Sequence, residues 1–141
     1  MADQGGVDEM MKRCPDWPEK LAAFIETRRE RVFSWGEQDC ALLAADAVLE
    51  MTGVDLASGL RGYKSARGAA ARIEKAGGMR GFVASLPQKH PGLAQRGDLV
   101  LVDLEGRETF GVVVGNGYWC GPGQDGLVFR PMSEVETVFE V

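Results

Sequence analysis

The sequence predicts an α+β fold in which N-terminal helices pack on a C-terminal antiparallel sheet of about five strands. The first observation is a change of hydrophobic period near Asp98, from helical spacing to alternation of two. The second is that the later connections are short, so they allow hairpins but leave no room for crossover helices. The third is length, since 141 residues suit one domain with one core. We therefore expect a flexible arm over residues 1–15 and a single domain over residues 16–141.

Three helical segments flank the most informative stretch of the chain. Asp16 is a candidate N-cap for a helix that runs to about residue 29, with Pro18 in its first turn. Ser65 precedes an alanine-rich segment that reaches about residue 76 and is followed by two glycines. Apolar residues over 82–86 predict one more short helix, which a proline stops.

Cys40 begins the helix around which the other elements are expected to pack. The apolar residues at 43, 44, 47, 48 and 51 share one helical face, and Gly53 stands where the helix should stop. At a helix N-terminus the unpaired N–H groups and the helix dipole favour a thiolate, which suits a nucleophile. A plain core role is the alternative, because free cysteine is among the most buried residue types.

The β-rich part of the sequence consists of short apolar segments separated by turn-forming residues. Asn116-Gly117 is the strongest turn signal, because both residues accept the positive φ of a type I′ hairpin. The five candidate strands cover residues 99–102, 110–114, 118–120, 127–130 and 137–141.

Composition excludes several classes of protein. The formal net charge is −5 and the basic residues are mixed with acids, which disfavours binding to nucleic acid. Cys14, Cys40 and Cys120 form no CxxC pair, and their odd number argues against a disulfide framework or a cysteine-built metal site. We expect no cofactor and no metal. The first twenty residues are polar and no run approaches transmembrane length, so a cytoplasmic protein without a membrane span is expected.

Two surface features are candidates for contact with a partner. Arg28, Arg29 and Arg31 form a basic cluster at the end of the first helix. The simplest interpretation is a solvated helix end, where cations oppose the dipole, and an interface with an acidic partner is the alternative. The loop over residues 121–126 is polar and rich in turn formers, so it should be exposed and available to a partner.

Four segments, in this order, resemble the NlpC/P60 papain-like superfamily: Trp35-Gly36, Asp39-Cys40, Arg96-Gly97-Asp98-Leu99-Val100 and the run from Phe110 to Gly117. Finer details resemble an uncharacterised, tail-associated phage and prophage branch with DUF6950-like domains, namely Ala45-Asp46, Thr52-Gly53-Val54-Asp55, Arg61-Gly62-Tyr63 and Gly126-Leu127-Val128. The resemblance covers roughly Trp17 to Val141. It implies Cys40 as the nucleophile of a hydrolase that acts on peptidoglycan stem peptides.

The second residue of the catalytic pair is missing. In active members of the resembled family a histidine stands two residues before the glycine of the second strand, and Thr109 occupies that position here. Threonine cannot take up or deliver a proton near neutral pH as an imidazole does. The single histidine, His90, lies in a polar loop before the first strand, so we expect it to be an exposed loop residue. We expect Thr109 to start the second strand with its side chain beside the Cys40 sulfur.

Three functions remain after these observations. The first is a cysteine peptidase or amidase with Cys40 as nucleophile, acting on peptidoglycan peptides. The second is a phage tail-tip or tail-assembly protein with a degenerate, inactive domain. Its partners would be other tail or baseplate hub proteins, and it would reside in the host cytoplasm during assembly and then in the virion tail. The third is a small-ligand or acyl-binding domain. Thr109 in the histidine position favours the second function.

Overall fold

The computed structural model describes residues 11–141. The part of the predicted arm that covers residues 1–10 lies outside the described residues. The helices are α1 (Trp17–Arg28), α2 (Cys40–Thr52), α3 (Ala66–Lys75) and α4 (Gly78–Phe82). The strands are β1 (Gln88–Lys89), β2 (Leu99–Leu104), β3 (Arg107–Gly115), β4 (Tyr118–Gly123), β5 (Gly126–Pro131) and β6 (Thr137–Phe139). Short 3-10 turns cover Pro91–Leu93 and Met132–Glu134.

The strands form one antiparallel sheet, in the spatial order β1-β6-β2-β3-β4-β5. Helices followed by an antiparallel sheet confirm the predicted α+β class. The sequence missed β1, whose two residues pair with Phe139 and Val138 of β6. The Asn116-Gly117 turn is confirmed, since these residues join β3 to β4 with φ of 56° and 83°.

The helix boundaries agree with the sequence at most ends. Ser65 caps α3 by accepting a hydrogen bond from the Gly68 N–H at 3.0 Å. Asp16 stands at the N-cap of α1 but makes no side-chain cap hydrogen bond, so its predicted capping role is wrong. The short helix expected over residues 82–86 is also displaced, because α4 begins at Gly78 and already ends at Phe82. None of the helices in the described part is long and apolar enough to span a membrane.

α2 is the central element of the core. It packs against α1 on one side and against β3 on the other. Most of its side chains are buried, including Leu43, Val48 and Met51, and Gly53 ends it in the left-handed conformation with φ of 82°. The position of Cys40 is therefore fixed by a buried helix pressed against the middle of the sheet.

The sheet buries apolar residues on both faces. The face toward the helices includes Leu99, Leu101, Phe110 and Val112. The opposite face carries a smaller cluster, formed by Val100, Val102, Val113, Trp119, Val135 and Val138. Because side chains alternate along each strand, these two clusters define which residues of β3 can face α2.

Residues 11–15 do not behave as part of a flexible arm. The Cys14 N–H donates to the Met51 carbonyl at 2.7 Å, at the end of α2. The Arg13 guanidinium donates to the carbonyls of Arg96, at 2.8 Å, and Val141, at 3.1 Å. The predicted boundary at residue 15 is thus wrong, because these hydrogen bonds already hold the chain at Arg13.

Candidate functional site

The start of α2 is organised by the carboxylate of Asp39, which is 2% exposed. This side chain caps the helix by accepting a hydrogen bond from the Leu42 N–H at 2.9 Å. It also accepts one from the Gly36 N–H and one from the Tyr63 hydroxyl, both at 2.8 Å. Three separate parts of the chain therefore meet at the residue that precedes Cys40.

Gly36 is required at this site by close contact. Its φ is +86°, and a Cβ atom there would overlap the carbonyl oxygen of Tyr63. The Trp35-Gly36 and Arg61-Gly62-Tyr63 segments are thus parts of one cluster that holds Asp39. The sequence contained a signal for this cap, since aspartate directly before a helix start is a preferred N-cap, but nothing local indicated Tyr63 as its partner.

The pKa of the Cys40 thiol is raised above its ordinary value. Burial is the largest cause, and the negative charge of Asp39 acts in the same direction. Hydrogen bonding from the backbone of Phe110, and from the backbone of Cys40 and Ala41 at the start of α2, opposes the rise but is outweighed. The N–H groups at the helix N-terminus do favour the thiolate, as expected, but desolvation by burial exceeds their effect on the pKa.

The residue of β3 that contacts Cys40 is Phe110, and not Thr109. Strand β3 begins at Arg107, two residues before the predicted start at Thr109. Thr109 pairs directly with Val102, and paired residues lie on the same face of the sheet. Val102 belongs to the cluster on the face away from the helices, whereas Cys40 packs on the helix face.

The prediction that the Thr109 side chain takes the imidazole's place beside the sulfur therefore needs correction. It is the Phe110 backbone that interacts with the Cys40 thiol, and no hydrogen bond joins Thr109 to Cys40 within residues 11–141. The assignment of Thr109 as the sequence position of the missing histidine remains a prediction.

His90 lies in the loop between β1 and the Pro91–Leu93 turn. Its Nδ1 atom accepts a hydrogen bond from the Gly92 N–H at 2.9 Å, so the ring is used to cap its own turn. No hydrogen bond or ion pair links it to the Cys40 cluster in the described part of the chain. The expected exposed position in a loop is what the structure shows.

Asp46, whose role the sequence left open, is part of an ion-pair network on the polar side of α2. Its carboxylate contacts the guanidinium groups of Arg28, at 2.8 Å, and Arg61, at 2.7 Å. Arg61 also contacts Asp55 at 2.9 Å. The network joins α1, α2 and the loop that carries Tyr63, and it thereby supports the geometry at Asp39.

Asp98 of the Arg-Gly-Asp segment is a structural residue in this chain. Its carboxylate is fully buried and lies 2.7 Å from the Lys89 ammonium and 3.4 Å from the Arg13 guanidinium. It also accepts hydrogen bonds from the N–H groups of Gln95, at 2.8 Å, and Val141, at 3.0 Å. Within residues 11–141 no group of three or more His, Cys, Asp or Glu side chains is placed to hold a metal ion.

The fold is the one seen in solved NlpC/P60 domains. The NlpC/p60 domain of the peptidoglycan hydrolase SagA is 16% identical, with a TM-score of 0.57 over 88% of this chain and 98% of that domain. The P60 domain of the M. avium paratuberculosis antigen MAP1272c is also 16% identical, with a TM-score of 0.58 over 89% of this chain and 93% of that one.

A third solved structure also shares this fold. RipD from Mycobacterium tuberculosis, described as a non-catalytic NlpC/p60 domain protein adapted to peptidoglycan binding, is 17% identical, with a TM-score of 0.54 over 89% of this chain and 97% of that one. At these identities the likeness shows the fold alone.

The family itself is given by the sequence. Residues 12–141 match the model of a domain of unknown function, DUF6950, and the chain belongs to this family. A comparison with curated proteins finds no match.

Proposed function

We propose that this chain is a non-catalytic NlpC/P60-like domain that acts by binding a partner. The observation that carries the proposal is the state of the Cys40 thiol. Burial and the neighbouring Asp39 raise its pKa, and its neighbour from β3 is a backbone group of Phe110. A thiol that holds its proton at neutral pH is a poor nucleophile.

The absence of a base beside Cys40 in residues 11–141 would lower the rate of hydrolysis further. In hydrolysis by a cysteine nucleophile, an adjacent base removes the thiol proton and then protonates the leaving amine. A well-placed general base contributes about 10²- to 10⁴-fold in rate. His90 is engaged with Gly92, so within the described residues it does not fill this role. Acylation of Cys40 would be slow, and the departing amine would receive no proton from a positioned group.

The finer part of the proposal concerns the partner. We propose a phage or prophage tail-tip or tail-assembly role, with other tail or baseplate hub proteins as partners, first in the host cytoplasm and then in the virion. The resemblance of the Ala45-Asp46 and Arg61-Gly62-Tyr63 segments to a tail-associated branch supports it. Peptidoglycan peptides are the alternative ligand, supported by the description of RipD as a peptidoglycan-binding protein.

The competing function is a cysteine peptidase or amidase on peptidoglycan stem peptides. Its support is the place of Cys40 at the start of α2, where backbone N–H groups act to lower the thiol pKa. The two functions differ in whether substrate is consumed.

The test is incubation of the purified chain with soluble peptidoglycan fragments, followed by chromatography of the products. We expect no more product from the wild type than from Cys40→Ala. Turnover by the wild type that Cys40→Ala abolishes would overturn the proposal. Thr109→His, assayed in parallel, tests the predicted histidine position, and a gain of activity in this variant would confirm that position.

Two further measurements test the identity of the partner. Sedimentation with insoluble peptidoglycan measures binding of the alternative ligand, and co-purification with phage tail hub proteins measures the tail role. Retention by the hub proteins and not by peptidoglycan is the expected result. The reverse result would replace the tail partner with peptidoglycan.

A further inference from the structure

An open groove lies on the helix face of the sheet, between α1 and the ends of β3 and β5. Its volume is about 320 Å³, which is in the range of sites that hold small ligands or a few side chains. Ile25 of α1, Val114 of β3 and Phe129 of β5 supply apolar surface. Phe129, which is 39% exposed, lines the groove and is its most exposed large apolar side chain.

The groove is separate from the Cys40 cluster. Cys40 interacts with the Phe110 backbone, whereas the groove is lined by Val114, four residues further along the same strand. At about 3.4 Å per residue in an antiparallel strand, Phe110 and Val114 are about 14 Å apart along β3. A ligand in this groove would therefore not depend on the thiol.

The charged residues of the groove are mainly basic, although the whole chain has a net charge of −5. Arg29 and Arg96 line it together with Glu26. Arg29 lies 5.1 Å from the centre of the Phe129 ring and 3.4 Å from the Glu26 carboxylate. Arg96 donates to the Pro18 carbonyl at 3.3 Å, and within residues 11–141 it has no carboxylate partner. The groove thus offers one guanidinium whose charge is not balanced.

The outer edge of β5 runs beside the groove, where it is covered at Leu127 and open at Phe129. β5 is the last strand of the sheet, and its Leu127 N–H points outward, donating to the Arg29 carbonyl at 2.8 Å. Because backbone directions alternate along a strand, the N–H and C=O of Phe129 point outward as well. Within the described residues the Phe129 N–H has no outward acceptor, so an extended segment can pair with it.

We propose that this groove, formed by Ile25, Val114, Phe129, Arg29 and Arg96, binds an extended acidic segment of a partner protein. The segment adds to the edge of β5 at Phe129, places an apolar side chain against the Phe129 ring, and brings a carboxylate to Arg96. This inference rests on the proposed binding function and names its surface. It also accounts for Arg29 of the basic cluster as a contact residue, while Arg28 is already paired with Asp46.

The test uses fluorescence anisotropy with a labelled octapeptide of alternating valine and glutamate. The control peptide alternates valine and lysine. We expect the acidic peptide to bind and the basic peptide not to bind. Arg96→Glu should weaken binding by about tenfold or more, since a hydrogen bond to a charged group contributes about 1.5–3 kcal/mol. Arg107→Glu makes the same charge change on an exposed residue outside the groove and should alter binding less than twofold.

Three results would overturn the inference. These are equal binding of both peptides, equal losses in Arg96→Glu and Arg107→Glu, or failure of the acidic peptide to bind a chain whose thermal unfolding is normal. Concentration-dependent dimerisation that Arg96→Glu abolishes would also overturn it, because a second copy would then occupy the groove. We expect Cys40→Ala to bind the acidic peptide as the wild type does. Such a result would show that the groove binds independently of any hydrolysis by Cys40.

Discussion

At the residue scale, Asp39 links the stability of the fold to the chemistry of its neighbour. Its buried carboxylate accepts hydrogen bonds from Gly36, Leu42 and Tyr63. The same negative charge disfavours a second anion next to it, and so raises the pKa of Cys40. The aspartate that begins the helix therefore also helps to keep the sulfur protonated.

Replacement of Asp39 should be costly for stability. Asp39→Ala removes an N-cap, worth about 1 kcal/mol, and leaves the Tyr63 hydroxyl and the Gly36 N–H without their acceptor, at about 1–3 kcal/mol each. We expect a loss of about 3 kcal/mol in the free energy of unfolding, measured with urea. Tyr63→Phe, which removes a single hydrogen bond, should cost about 1 kcal/mol. Equal costs for the two variants would contradict the central place given to the carboxylate.

The raised pKa of the buried Cys120 thiol predicts that the stability of the fold depends on pH. Burial raises its pKa to about 12, whereas an unfolded cysteine has a pKa of about 8.5. Between these values the folded state holds a proton that the unfolded state has released, so stability falls as pH rises, by at most about 1.4 kcal/mol per pH unit. Urea unfolding of the wild type and of Cys120→Ala from pH 8 to 10 measures this difference. Parallel curves would show that Cys120 does not carry the effect.

At the scale of elements, Asp98 joins four parts of the chain that are distant in sequence. Lys89 of β1, Arg13 before α1 and the backbone of Val141 all contact the carboxylate, which lies directly before β2. The two chain ends of the described part and both neighbours of β6 thus depend on one buried side chain. Arg13 and Asp98, for example, are 85 residues apart in the sequence.

Asp98→Asn should lower the free energy of unfolding by about 3 kcal/mol, because breaking a buried ion pair leaves uncompensated charge. Asp125→Asn is the matched control, since Asp125 is exposed and lies in the β4–β5 turn. Its change should stay within about 0.5 kcal/mol. Urea unfolding compares the two variants, and similar midpoints would refute the role given to Asp98.

The contact between β3 and β4 explains the glycine of the Phe110-Gly111 segment. A Cβ atom at Gly111 would overlap the ring of Trp119, which is fully buried. Gly111→Ala should therefore cost about 2 kcal/mol through overpacking, as measured by urea unfolding. Combining it with Trp119→Phe, which shortens the ring, should cost less than the sum of the two single changes. Additive costs would contradict this contact.

Elements marked by local chemistry were predictable from the sequence. Cys40 and Ser65 begin or precede helices as expected, and Asn116-Gly117 forms the expected hairpin. Partners that meet only in three dimensions were not, such as Tyr63 with Asp39. The face of Thr109 was also missed, because a shift of one residue along a strand reverses every side chain, and the motif alone did not give the register.

At the scale of the whole molecule, the features associated with hydrolysis and those available for binding lie in different places. At the Cys40 cluster, the Asp39 carboxylate is buried and its hydrogen bonds are made within the chain, to Gly36, Leu42 and Tyr63. The groove at Phe129 and Arg96 has a partly exposed aromatic ring, a guanidinium without a carboxylate partner within residues 11–141, and a strand edge that is open at Phe129. A domain with this distribution is suited to contact a partner without consuming it.

The central claim is that the Cys40 thiol is not activated, and the pH dependence of its alkylation tests this most directly. The chain would carry Cys14→Ser and Cys120→Ala, so that iodoacetamide reports on Cys40 alone. Because burial raises the pKa of Cys40, we expect a reaction at pH 7 that is slower than that of a free cysteine peptide, with a midpoint at a higher pH than the midpoint of that peptide. Fast alkylation with a midpoint below about pH 7.5, as activated cysteines show, would contradict the account.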